Sequence, residues 1–124
     1  MNVRILVVDD TDHVRMMLTE MLRLDGFDVV GEAPDAATAV ELAVSRDPQV
    51  VIMDLRMPDV DGLEATRRIR AVRPHQPVVI YTAYLDEEIE QAARDAGAVL
   101  CLGKVDGLPN LERELSRLSL DLAS

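Results

Sequence analysis

Short, uninterrupted apolar runs set the frame of this chain. They occupy residues 3–8, 29–30 with their flanks, 50–53, 78–82 and 99–102, and most lack the polar–apolar alternation of a half-exposed strand. A strand is apolar at every position when both its faces are covered, as in a parallel sheet with helices on either side. The longer stretches between the runs fit that picture. Val14, Met17, Leu18, Met21 and Leu22 recur at helical spacing, with Gly26 as the stop. Residues 35–46 place Ala36, Ala39, Val40, Ala43 and Val44 on one stripe before Pro48, and residues 63–72 end before Pro74. Residues 86–96 open with three acids, which favour the positive end of a helix, and stop at Gly97. The inner stripe of that helix, Ile89, Ala92, Ala93 and Ala96, is mostly alanine. The last helix is expected to begin at Pro109, because the first helical turn does not use the N–H that proline lacks. Leu108, Leu111, Leu115, Leu118 and Leu122 line one side of it, and residues 120–124 are expected to fray. The order is (βα)5, an α/β fold with a five-stranded, doubly wound parallel sheet.

A chain of 124 residues fits one domain, expected over 1–124 with no output domain attached, and can bury a core without disulfide or metal staples. Thirteen Lys and Arg against 23 Asp and Glu give a net charge of −10. That balance argues against a nucleic-acid surface and against docking on an anionic membrane. No apolar run approaches a membrane span and no signal-peptide pattern follows Met1. One cysteine cannot form an internal disulfide, so the expected location is the cytoplasm.

In an open α/β sheet, ligands bind at the carboxyl ends of the strands. Asp9 and Asp10 follow the first run, Asp54 the third, Thr82 ends the fourth, and Lys104 lies just past the fifth. Three carboxylates at one edge repel one another, and a fold tolerates this when a cation joins them; hard oxygen donors open to solvent suit Mg²⁺. An ammonium and a hydroxyl beside such a site suit a phosphoryl group. A strand-end carboxylate can itself be the nucleophile that forms an acyl phosphate.

Val7-Val8-Asp9-Asp10, the string from Met53-Asp54 through Met57-Pro58 to Asp61-Gly62, Thr82-Ala83, and Gly97-Ala98 followed by Lys104 make the chain similar, over almost its whole length, to the receiver domain of two-component response regulators. The resemblance implies the flavodoxin-like receiver fold and a phosphoacceptor switch that works with Mg²⁺ rather than an enzyme with turnover. It assigns Asp54 as the acceptor, Asp10 as a direct Mg²⁺ ligand, Asp9 as a ligand chiefly through water, and the backbone carbonyl of Arg56 as another. It gives Thr82 and Lys104 the phosphoryl oxygens, and Pro58 and Gly62 the shape of the loop after the third strand. The implied partners are a histidine kinase or histidine phosphotransfer protein, and a downstream target or an absent output domain. The donor would dock on the outer face of the first helix, read as Arg15, Met16, Thr19 and Arg23. Two positions depart from the family: Val105 replaces the proline often found after the lysine, and Cys101 replaces the usual aromatic switch residue. Tyr84 is the residue left to cover the phosphoryl group.

Blander readings exist for each residue taken singly. Asp9 and Asp10 could cap the first helix, Thr82 could cap a strand end, and Lys104 could be a solvated charge; the combination favours the site. Asp59, Asp61 and Gly62 imitate an EF-hand, but Met57 and Arg68 stand at its first and twelfth ligand slots. Gly97 to Lys104 imitates a phosphate-binding loop with one residue too many. Cys101 reads as a small core residue, and His13 and His75 as surface residues. A haloacid-dehalogenase-type phosphatase would need Asp-x-Asp on the first strand, where the acids here are adjacent. A non-phosphorylated adaptor with the same fold would normally lack a site residue.

Overall fold

The computed structural model describes residues 2–123, with side chains to residue 120. Five parallel strands, β1 (Arg4–Val8), β2 (Asp28–Ala33), β3 (Val50–Met53), β4 (Val78–Thr82) and β5 (Leu100–Gly103), form one sheet in the order β2-β1-β3-β4-β5. The helices are α1 (Asp12–Leu24), α2 (Ala36–Arg46), α3 (Gly62–Val72), α4 (Glu87–Ala96) and α5 (Gly107–Ala123).

Each strand feeds two cores because successive side chains point to opposite faces. Leu6, Val8, Val51, Met53, Val78 and Ile80 pack under α2, α3 and α4, against Ala39, Ala43, Ala65, Ile69 and Ala93. Ile5, Val7, Val50, Ile52, Val79 and Tyr81 pack on the other side against Leu22 of α1 and Leu111 and Leu115 of α5. That two-sided burial is what the uninterrupted apolar runs require. Helix entry is also local chemistry. The side chains of Asp35, Asp61 and Asp86 accept the N–H of Thr38, Glu64 and Ile89, closing the first turns of α2, α3 and α4.

Several expectations need correction. In α1 the buried residues are Thr19 and Leu22, with Leu18 partly buried, whereas Met17 and Met21 face solvent. Two overlapping apolar stripes run along this helix, and docking on the sheet selects the one through Leu18 and Leu22. Val44 of α2 is exposed for the same reason, while Ala36, Ala39 and Ala43 face inward. Helix α5 starts at Gly107, two residues before Pro109, after a 3-10 turn over Lys104–Asp106. Pro109 is then the third residue of the helix, where its missing N–H still leaves no intrahelical bond unmade. The helix continues to Ala123, past the point where fraying is expected; Ser124 and the side chain of Leu122 lie outside the described residues.

Candidate phosphoacceptor site

Parallel strands all end at one edge, and β1, β3, β4 and β5 bring their last residues together there. The N–H of Asp9 bonds to the carbonyl of Ala33 at 3.1 Å, and that of Asp54 to the carbonyl of Val8 at 2.9 Å, so the sheet ladder itself sets the spacing of the acids. Asp9, Asp10 and Asp54 each offer a carboxylate oxygen within 4.8 Å of the other two. Asp9 is 4% exposed; Asp10 and Asp54 are half-buried. Lys104 Nζ reaches Asp9 Oδ2 at 3.4 Å and Asp54 Oδ1 at 3.5 Å. At such separations two unit charges repel by about 3–4 kcal/mol at an effective dielectric of ~20. One ammonium therefore cannot balance three carboxylates. Burial pushes the Asp54 carboxyl up from its ordinary value; Lys104 opposes this, and the charges of Asp9 and Asp10 add to it.

The donor set is hard oxygen, acidic and reachable from solvent, which fits a small divalent cation. Asp9 has both oxygens engaged, Oδ1 by the N–H of Thr11 at 2.9 Å and Oδ2 by Lys104. That leaves Asp10 and the second oxygen of Asp54 as the more available donors. The bond to Thr11 also shows what the capping reading of Asp9 amounts to: it ties the loop before α1, whose N-cap residue is Thr11.

The loop after β3 is pinned close to Asp54. The N–H of Gly62 bonds to the carbonyl of Leu55 at 2.8 Å. A Cβ on Gly62 would lie 2.2 Å from the carbonyl oxygen of Asp54, so only glycine lets the chain close there. Across the pocket, Thr82 ends β4 with its hydroxyl accepting from the N–H of Tyr84 at 3.2 Å. Tyr84 is 59% exposed, and the Arg56 guanidinium lies 4.4 Å from its ring centroid. A cation–aromatic contact therefore joins the two loops that flank Asp54.

Sequence reasoning misread two residues of α1 and missed one neighbour of this pocket. Arg15 is not an outward-facing docking residue. It donates to the backbone carbonyl of Asp9 at 2.7 Å, pairs with Asp12 and Glu32, and its side chain is 12% exposed. Its place one turn after an acid-rich loop is the signal that could have found it. Thr19, also read as outward-facing, is buried. Tyr81 faces the opposite layer of the sheet from Cys101, with Lys104 Nζ 5.8 Å from its ring centroid. Among the described residues there is no cis peptide bond, so Val105 follows a trans bond and lies 90% exposed. Cys101 is half-buried beside α4, its thiol pushed up by burial, and it borders a cavity of about 240 Å³ between α4 and β5. His13 and His75 are exposed.

Comparison with known proteins follows the same lines. The chain is 42% identical over 118 residues to the transcriptional regulatory protein PdtaR of Mycobacterium tuberculosis, covering 92% of this chain and 57% of that protein. It is 43% identical over 120 residues to a protein-glutamate methylesterase/protein-glutamine glutaminase of Myxococcus xanthus, covering 93% of this chain and 34% of that protein. It thus spans between a third and three-fifths of the length of these relatives. Among solved structures, the response regulator domain of Thermotoga maritima CheB superposes with a TM-score of 0.85 at 31% identity, covering 95% of this chain and 96% of that one. The chemotaxis protein CheY4 of Vibrio cholerae gives 0.87 at 27% identity, covering 95% and 99%. No helix among the described residues is long and apolar enough to cross a membrane. The response regulator receiver domain family matches residues 5–115, a span that holds nearly all of both cores and every residue of the pocket, and the chain belongs to that family.

Proposed function

We propose that this chain is a phosphoacceptor switch of a two-component phosphorelay. The observation that carries the reading is the cluster of Asp9, Asp10 and Asp54 at the carboxyl edge of the sheet, with the Lys104 ammonium paired to two of them. An oxygen of Asp54 attacks phosphorus of a phosphohistidine on a histidine kinase or phosphotransfer protein. The P–N bond breaks, the imidazole leaves with the bonding pair, and an acyl phosphate remains on Asp54. Lys104 neutralises one phosphoryl oxygen and the Thr82 hydroxyl, which accepts from the Tyr84 N–H and keeps its own proton, donates to another. Asp10, Asp54, Asp9 through water, and the Arg56 carbonyl are the residues that would hold Mg²⁺. Bound there, the ion supplies the positive charge that a single lysine cannot.

Of the apolar residues that α1 leaves exposed, Met16 and Met17 lie in the half of the helix nearer this pocket and suit docking of the donor. The output is a shift between two states of the face formed by β4, α4 and β5. Helix α4 is the plausible mover, because Ala93 and Ala96, its buried residues, bury little area. The signal passes to a downstream protein or to an output domain outside this chain, with residues 1–124 acting as one receiver unit in the cytoplasm. Its own chemistry is limited to taking the phosphoryl group and slowly hydrolysing it. Incubation with acetyl phosphate and Mg²⁺ should add one phosphoryl group by intact mass, and Asp54→Asn should take none; equal labelling of the variant would move the acceptor elsewhere.

A further inference from the structure

Lys104 must hold its ammonium between two carboxylates, yet the backbone around it offers little to fix a long side chain. It is the first residue of a 3-10 turn, and the next residue, Val105, is 90% exposed. Lysine carries roughly 2 kcal/mol of rotamer entropy that some contact has to offset. Its stem leaves the end of β5, where Leu102 and Gly103 pair with Tyr81 and Thr82 of β4.

Tyr81 is the aromatic residue at the pocket end of the layer that packs on α1 and α5. The other strand residues of that layer, Val7, Ile52 and Val79 among them, are aliphatic. Tyr81 is 8% exposed, and its ring centroid lies 5.8 Å from Lys104 Nζ, inside the range of a cation–π attraction. Burial pushes its phenol up, so the ring stays neutral and its face electron-rich; the Lys104 charge opposes that rise, and the carboxylate of Asp106, the third residue of the turn, adds to it. The first residue of the turn thus stands over the tyrosine ring. We propose that Tyr81 is a positioning residue for phosphoryl transfer: its ring holds the Lys104 ammonium 3.4 Å from Asp9 and 3.5 Å from Asp54, where the incoming phosphoryl oxygens must be met.

This rests on Asp54 being the acceptor, so the test has one arm that depends on phosphorylation and one that does not. In the first, rates of labelling by acetyl phosphate at saturating Mg²⁺ are measured for Tyr81→Phe and Tyr81→Leu, with Tyr81→Met in reserve should the leucine variant not fold. The ring-less variant should be slower by roughly three- to tenfold, and the phenylalanine variant within about twofold of wild type, as expected when only the π face acts. In a Lys104→Met background the same Tyr81 changes should add nothing. In the second arm, the ε-methylene proton resonances of Lys104 in the unphosphorylated protein should show an upfield ring-current shift. Tyr81→Phe should keep it and the ring-less variant should lose it. A phenylalanine variant as slow as the ring-less one, an equal loss in the Lys104→Met background, or no ring-current shift in wild type would overturn the proposal. A wild-type chain that takes no label would overturn the acceptor reading instead, and the resonance arm would still decide whether Tyr81 holds Lys104.

Discussion

At Asp54 the demands of folding and of chemistry oppose each other. Burial and the charges of Asp9 and Asp10 raise its proton affinity in the folded state above that of a free carboxyl. Without a cation, its contribution to stability is therefore present below the ordinary carboxylate range and lost as the pH rises through the raised value. Asp54→Asn removes one of three repelling charges, and it should raise the metal-free melting midpoint by a few degrees, a gain on the order of 1 kcal/mol. Wild type should gain in the same direction from millimolar Mg²⁺. A midpoint unmoved by either change would mean that the carboxylates do not strain the fold. Tyr84 acts on the product rather than the acceptor. Its ring lies 4.4 Å from the Arg56 guanidinium, two residues after Asp54, and we propose that it shields the phosphoryl group from water. Tyr84→Ala should speed loss of the phosphoryl group by several-fold, whereas Cys101→Ala, on the α4 side of β5, should leave the rate nearly unchanged. Phosphorylated mass followed over time at fixed Mg²⁺ separates the two.

Among the elements, α1 shows how one helix divides its work. Leu22 anchors it to the sheet, Arg15 turns back to the Asp9 carbonyl, and Met16, Met17 and Met21 are left exposed. Methionine side chains adapt to a partner's surface at little cost. Met16→Glu should slow transfer from a phosphohistidine donor about tenfold by placing a charge in that contact, a cost of roughly 1.4 kcal/mol. Labelling by acetyl phosphate should be unaffected, since the small donor needs no docking face. Equal slowing with both donors would show that the pocket, not docking, had been damaged.

For the molecule as a whole, α1 and α5 cover one layer of the sheet and meet through their acids. Burial pushes Glu112 of α5 up to about 7, and Asp25 at the end of α1 adds to the rise through a hydrogen bond and its charge. Glu112 Oε2 is buried without a geometric hydrogen-bond partner among the described residues, and protonation of Glu112 removes the buried charge. The folded chain thus keeps a proton that the unfolded chain gives up at about 4.5. The resulting stability is full below that pH and is lost as the pH rises through about 7. Glu112 retains some solvent contact, so the loss is about 1 kcal/mol after screening. Asp54 contributes with the same sign, so the informative quantity is a difference: Glu112→Gln should flatten the fall of the midpoint between pH 4.5 and 7 relative to wild type. Parallel curves for the two proteins would remove the α1–α5 pair from the account.

The strands, their parallel arrangement and the acids at their ends were legible in the residues alone, because a strand buried on both faces must be apolar throughout and the residue after it must then meet solvent. Asp9, Asp10, Asp54, Thr82 and Lys104 stand at strand ends in sequence and converge in space for that one reason. Helix faces were a different matter. Residues 14–24 carry two apolar stripes of similar strength, and nothing local tells Leu18 and Leu22 from Met17 and Met21. Only docking against Val7, Val29 and Ile52 separated them, and it took Thr19 and Arg15 inward as well. The start of α5 moved for a similar cause, since proline is compatible with any position of the first turn. Tyr81 is the clearest case. In sequence it is one apolar residue in a strand; its closeness to Lys104 exists only because β4 and β5 pair in one register and a 3-10 turn carries the lysine back across the ring.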